Sequence, residues 1–221
     1  MIEISTSILS VKEEEAMKTF YNLEVAKTDY FHIDVMDGKF VENNTSERMI
    51  AYAENIRQIS NLPLDVHLMV EDVDSFIEQY IPLEPSFITI HYEACENKEK
   101  LMEVINKIKA NGIKCGLSIK PGTEVEEIYE YLPYIHMVLI MTVEPGKGGQ
   151  QLILETVSKI QKLKKHLEKE NIDIYIEADG GINIQTIGEL KRAGIDIAVV
   201  GNAVIMAEDY SEVIRELKSD M

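Results

Sequence analysis

Cysteine is scarce: Cys95 and Cys115 are the only two in 221 residues. Two thiols cannot build a disulfide framework, and such usage fits a reduced, intracellular chain. Long apolar runs are missing too, and none approaches the roughly 20 residues that a membrane-spanning helix requires. The opening Met1-Ile2-Glu3-Ile4 already reads as a strand, so no signal peptide and a cytoplasmic location are expected. Positive charge is the scarcer sign, with 22 Lys and Arg against 39 Asp and Glu and a formal net charge of -17. That imbalance repels phosphodiester backbones and anionic lipid, so neither nucleic-acid nor membrane partners are expected. It leaves room for a small anion, because backbone N–H groups and one lysine hold a phosphate locally. No dinucleotide fingerprint, low-complexity tract, linker or composition shift is present, and residues 1–221 read as one domain. Asn43-Asn44-Thr45 matches a glycosylation acceptor only as a chance triplet, given the expected compartment.

What the chain does have is an alternation of short β-rich runs and longer amphipathic stretches. Strands are expected near Ile2–Ser7, Tyr30–Val35, Leu64–Met69, Phe87–His91, Lys114–Ile119, Met137–Thr142, Asp173–Ala178 and Ile195–Val200. Helices are expected near Lys12–Ala26, Glu47–Ser60, Val73–Tyr80, Lys98–Asn111, Val125–Tyr131, Leu152–Lys169, Gln185–Arg192 and Tyr210–Lys218. Asn111-Gly112 and Ala193-Gly194 supply left-handed stops, and Asn183 is placed as an N-cap. Eight β/α units in this length give an α/β fold, a (β/α)₈ TIM barrel, with a doubly wound open sheet as the rival. The barrel is preferred because the chemistry-bearing residues fall at C-terminal strand ends all along the chain.

Those residues begin with two imidazoles and two carboxylates. His32 and Asp34 stand two apart at the end of the second strand and share a face; His67 ends the third strand and Asp179 the seventh. Imidazole with carboxylate suits one divalent metal ion (Zn²⁺, Fe²⁺, Mn²⁺ or Co²⁺), and the lack of cysteine ligands disfavours a structural zinc. Taken singly, each histidine would more readily be a hydrogen-bonded core residue; four such groups on strand ends favour the site. His91 belongs to a strand that supplies no other ligand and is read as structural or as support for the site. His136 and His166 are expected to be solvated.

Three glycine loops follow the sixth, seventh and eighth strands: Glu144-Pro145-Gly146-Lys147-Gly148-Gly149, Asp179-Gly180-Gly181 and Gly201-Asn202. Alone, each is a tight turn. As neighbours they favour a phosphate site, since glycine lets the backbone approach an oxyanion and barrel phosphate sites lie near strands 7 and 8. Met36, Met69 and Met141 share strand faces with His32, His67 and Leu139. They read equally as a soft cap over a reacting centre or as core filling.

Taken together, Ser7-Ile8-Leu9-Ser10, His32-Ile33-Asp34-Val35-Met36-Asp37-Gly38, His67-Leu68-Met69-Val70, Met141-Thr142-Val143-Glu144-Pro145-Gly146 and Asp179-Gly180-Gly181 resemble the ribulose-phosphate 3-epimerase family. The resemblance covers essentially the whole chain and implies a ribulose-phosphate-binding barrel that works in the pentose phosphate pathway. It implies that His32, Asp34, His67 and Asp179 bind one divalent metal, and that Asp34 and Asp179 double as acid and base. Ser7 would contact a ketose phosphate, with His67, Met36, Met69 and Met141 beside it. Gly146, Lys147, Gly148, Gly149, Gly180, Gly181, Gly201 and Asn202 would surround its phosphate. A homo-oligomer, dimer or hexamer, is also implied. The chain departs from the family pattern at Phe40-Val41-Glu42-Asn43-Asn44, where a proline is lost, at Thr6 in place of a proline, and at Lys147 in place of an aromatic.

The expected reaction is inversion of C3 between D-ribulose 5-phosphate and D-xylulose 5-phosphate. The same chemistry on D-allulose 6-phosphate is the alternative, kept open by the altered loop at Glu42–Asn44. Decarboxylases and aldol-type synthases on related barrels use an Asp-x-Lys-x-x-Asp run, and Asp34-Val35-Met36-Asp37 lacks its lysine. A non-catalytic scaffold would be favoured by loss of a metal-binding residue, and none is lost.

Overall fold

The computed structural model describes residues 2–219. Eight parallel strands close on themselves in sequence order: β1 (Glu3–Ser7), β2 (Tyr30–Met36), β3 (Leu64–Met69), β4 (Phe87–His91), β5 (Lys114–Ile119), β6 (Met137–Met141), β7 (Tyr175–Asp179) and β8 (Ile197–Val200). Around them run α1 (Ala16–Val25), α2 (Ser46–Ile59), α3 (Val73–Tyr80), α4 (Lys98–Ala110), α5 (Glu155–Glu170), α6 (Ile187–Ala193), α7 (Asn202–Ile205) and α8 (Tyr210–Lys218). The expected (β/α)₈ barrel is what forms, and the open sheet is excluded by the pairing of β1 with β8.

Strand alternation sorts two cores. Outward residues such as Ile33, Val35, Val66, Leu68, Ile88 and Ile90 join the helices in one large apolar layer between barrel and rim. Inside the barrel, a plug of Tyr30, Phe87, Met137 and Ile197 closes the bottom. Above the plug the interior turns polar: Ser5, His32, Asp65, Thr89, Ser118 and Glu177 are all buried. Barrel interiors are ordinarily packed with branched aliphatic residues, so this polar layer costs stability and calls for a functional reason.

Several boundaries differ from expectation. β7 begins at Tyr175 and ends on Asp179, so that carboxylate is the last residue of the strand. β8 begins at Ile197 rather than Ile195. The segment after β5 is a 3₁₀ helix, Val125–Tyr134, carrying Pro133 inside it. Proline removes an N–H, which a short 3₁₀ stretch tolerates better than an α-helix. A 3₁₀ turn, Glu13–Glu15, precedes α1. α5 starts at Glu155 because the N–H of Ile153 is held by the carbonyl of Thr142 at 2.8 Å, tying the preceding residues to the end of β6. Asn183 does not cap α6: its side chain accepts from the N–H groups of Gln185 (2.8 Å) and Thr186 (3.2 Å), and Thr186 occupies the cap. The stops at Gly112 (φ 75°) and Gly194 (φ 101°) form as expected. Among the described residues no helix is long and apolar enough to cross a membrane.

Candidate active site

Register brings the ligands together. β2 and β3 pair so that Asp34 sits beside His67 and His32 beside Asp65, all four pointing inward. Asp179 reaches the same point from β7. His32 Nε2 lies 3.4 Å from Asp34 Oδ1 and 4.0 Å from Asp179 Oδ2. His67 Nδ1 lies 3.6 Å from each of Asp34 Oδ1 and Asp179 Oδ2. These separations exceed most hydrogen bonds, and the two buried nitrogens, His32 Nε2 and His67 Nδ1, have no hydrogen-bond partner among the described residues. Two ligands placed about 2.1 Å from one ion in a tetrahedral array stand roughly 3.4 Å apart. The donor set therefore fits a divalent cation, and the cluster is able to hold one.

Electrostatics point the same way. Burial opposes charge on His32, but Asp65 and Asp34 outweigh it and hold the imidazole well above its ordinary pKa. Burial likewise opposes charge on His67, yet Asp179 and Asp34 raise it. Asp34 is held far below the usual carboxylate range, the two imidazoles overcoming its burial. A cluster that pulls protons onto its imidazoles is one that demands positive charge, and a divalent cation supplies it more completely.

Behind the four groups stands a supporting layer. His32 Nδ1 is 2.6 Å from Asp65 Oδ2, which also accepts from Ser5 Oγ at 2.8 Å. Glu177 is buried close to Asp65, and burial together with repulsion from Asp65 pushes its carboxyl well above the usual carboxylate range. His67 Nε2 meets His91 Nε2 at 2.9 Å, and His91 Nδ1 meets Glu93 Oε2 at 3.2 Å. Burial pulls His91 down to about 4. His91 thus sits behind a ligand and outside the four. Asp65 escaped the sequence reading although its i, i+2 spacing from His67 puts both on one face. Glu93 carried no signal of its own, since only the turn after β4 aims it. His136 and His166 are partly buried, not solvated: one accepts from the Cys115 N–H at 3.2 Å, and the other stacks on Tyr129 with centroids 3.6 Å apart.

The cluster opens into a cavity of about 670 Å³ at the C-terminal mouth, within the usual range for small-molecule sites. Asp34, Asp179, Met36, Met69 and Met141 line its floor, and all three thioethers are buried against it. Ser7 lines it too, its hydroxyl donating to Asp34 Oδ2 at 2.6 Å. Gly146, Lys147, Gly148, Gly149, Gly180, Gly181, Gly201 and Asn202 form part of its wall, with Lys147 exposed at the rim. Gly181 is required there: φ is 67°, and a Cβ would fall 2.3 Å from the backbone nitrogen of Leu152.

The loop after β2 crosses toward this wall. Asp37 secures its base by accepting from the N–H groups of Lys39, Phe40 and Glu71 at 2.7–2.9 Å. Asn43 Nδ2 donates to the carbonyl of Gly146 at 2.6 Å, joining the loop that lost its proline to the glycine loop of β6.

A closed (β/α)₈ barrel whose mouth carries a His₂Asp₂ cluster able to hold a cation, with glycine loops lining the same cavity, has the architecture of a TIM-barrel enzyme. The profile of the Ribulose-phosphate 3 epimerase family matches residues 3–205. A Bacillus subtilis protein named ribulose-phosphate 3-epimerase is 37% identical over 219 residues, covering 99% of both chains. One of the same name from Helicobacter pylori is 36% identical over 218 residues, covering 99% of this chain and 97% of its own. The chain belongs to the ribulose-phosphate 3-epimerase family and is an isomerase, a carbohydrate epimerase. The barrel is shared more widely. A solved 3-hexulose-6-phosphate synthase aligns over 98% of both chains with a TM-score of 0.70 at 12% identity. Thiamine phosphate pyrophosphorylase from Pyrococcus furiosus aligns over 98% of this chain and 93% of its own with a TM-score of 0.64 at 18% identity. At such identities these two speak to the fold alone.

Proposed function

We propose that the chain interconverts D-ribulose 5-phosphate and D-xylulose 5-phosphate by inverting C3, with Asp34 and Asp179 as the two proton-transfer groups. The observation that carries the proposal is the convergence of two buried imidazole nitrogens, without hydrogen-bond partners among the described residues, on those two carboxylates in a cavity whose wall includes three glycine loops. The names of the relatives supply the five-carbon ketose phosphate.

A divalent cation held by His32, Asp34, His67 and Asp179 would supply Lewis-acid stabilisation of the negative charge that develops on the sugar; the ligand types suit Zn²⁺, Fe²⁺, Mn²⁺ or Co²⁺. The remaining work falls to side chains. One carboxylate takes the C3 proton while the electron pair of the broken C–H bond moves into a C2–C3 enediolate. The other, protonated, returns a proton to the opposite face of C3. Asp34 and Asp179 come from β2 and β7, which are separated by β1 and β8 around the barrel, so they approach a flat intermediate from different directions. Met36, Met69 and Met141 would exclude water from the reacting carbons and offer a polarizable surface to them. Ser7 holds Asp34 in place and would contact substrate. Backbone N–H groups around Gly146, Gly148, Gly149, Gly180, Gly181, Gly201 and Asn202 would take the phosphate, with Lys147 adding charge at the rim. The proposal includes one barrel domain over residues 1–221.

Assay of the metal-loaded protein on both candidate ketose phosphates is the test. A higher kcat/KM on the five-carbon sugar is expected. A large preference for D-allulose 6-phosphate would replace the substrate, and inactivity on both would overturn the function.

A further inference from the structure

We propose that His91 and Glu93 are positioning residues that lock His67 in the tautomer whose Nδ1 lone pair faces Asp34 and Asp179; the proposal rests on the reading of that cluster as a metal site. Hydrogen-bond direction carries it. The two imidazole nitrogens His67 Nε2 and His91 Nε2 are 2.9 Å apart, so one of them donates and the other accepts. Glu93 decides which. Its Oε1 accepts from the Lys120 N–H at 2.8 Å and from the Thr123 hydroxyl, as an ionised, acceptor-only carboxylate does. Its Oε2 stands 3.2 Å from His91 Nδ1, which must therefore be the protonated nitrogen of that ring. A neutral His91 then presents Nε2 as an acceptor, His67 donates its own Nε2–H, and His67 Nδ1 is left with a lone pair. That Nδ1 is buried and has no hydrogen-bond partner among the described residues.

The two ligand rings need this individually. His32 faces the cluster with Nε2 and His67 with Nδ1, so the rings must adopt opposite tautomers. Asp65 fixes the first directly at 2.6 Å; Glu93 fixes the second through His91. Both rings of the relay are fully buried, and Phe40 lies on His91 with centroids 4.9 Å apart, so neither ring can turn over without displacing its neighbours. Orientation of a β3 ligand is thereby keyed to the turn after β4 and the loop after β5.

Glu93→Gln is the diagnostic change. The carboxamide oxygen still accepts from Lys120 and Thr123, but its NH₂ now faces His91 Nδ1 and reverses every hydrogen bond up to the metal site. Zn²⁺ affinity, measured by chelator competition, is expected to fall 10–100-fold in the folded variant. Thr123→Val, which loosens the same loop without reversing the relay, is expected to stay within about threefold of wild type. In wild-type protein loaded with Zn²⁺, ¹⁵N NMR should show the proton on Nδ1 of His91 and on Nε2 of His67. Glu93→Gln binding within twofold of wild type, equal losses in both variants, or a proton on His91 Nε2 would each overturn the relay. Failure of the wild type itself to bind Zn²⁺ would instead overturn the metal site.

Discussion

Asp34 and Asp179 are chemically alike but held differently. Asp34 is clamped by Ser7 and pulled far into the ionised range by two imidazoles, while Asp179 ends its strand facing the cavity with its side chain 16% exposed. Asp179→Asn keeps the shape and removes the proton carrier, so kcat should fall by at least about 10³-fold with the far-UV spectrum unchanged. Full activity in that variant would remove Asp179 from the acid/base pair. At this scale the sequence was informative where polar residues and glycines fall at strand ends: the two histidines, the two aspartates and the glycine loops were legible as neighbours, while the three methionines read equally as core and line the cavity. What it concealed were partners fixed by three-dimensional aim. Glu93 reaches His91 only because the 3₁₀ turn Tyr92–Ala94 bends it back. Lys147, expected beside the phosphate loop, lines the cavity, and only the structure shows that it does so from the exposed rim.

Among elements, the turn after β4 does more than connect. Glu93 ties it to the loop after β5, and these hydrogen bonds, with His91, overcome burial and pull its carboxyl from 4.5 to about 2. A carboxylate lowered on folding contributes stability above its unfolded pKa and loses it as pH falls through the folded value. The contribution should therefore be intact at pH 7 and vanish between roughly pH 4.5 and 2; discounted for partial exposure it amounts to about 1 kcal/mol. Urea unfolding of metal-free wild type and Glu93→Gln should differ by that amount at pH 7 and converge near pH 2. A constant gap across the range would show that ionisation of Glu93 is not its source. The loop joining β7 to α6 offers a steric test. Gly181→Ala combines a positive φ with a Cβ driven into the Leu152 backbone and should cost at least about 2 kcal/mol in the same assay. Strand positions were legible because strands buried on both faces read as short β-rich apolar runs set between longer amphipathic stretches. Helix starts were less so, because they depend on contacts such as Ile153 to Thr142 that join distant segments.

The whole molecule trades stability for a polar interior. Ser5, Asp65, Thr89, Ser118 and Glu177 are buried with His32 in the barrel interior where aliphatic packing would be cheaper, and bound cation should offset part of that cost. Stripping metal with a chelator is expected to abolish turnover and lower the melting temperature by several degrees, both restored by Zn²⁺, Fe²⁺, Mn²⁺ or Co²⁺. A melting temperature indifferent to metal would argue that the cluster is satisfied by protons alone. The barrel was legible from the count of eight β/α units, and its closure is what places residues from β2, β3 and β7 at one point.

The most direct measurement follows conversion of D-ribulose 5-phosphate in D₂O by NMR with the metal-loaded protein. Two carboxylates acting in turn predict D-xylulose 5-phosphate carrying deuterium at C3 and at no other carbon. Product that retains the original C3 hydrogen, or no product at all, would contradict separate proton transfers by Asp34 and Asp179.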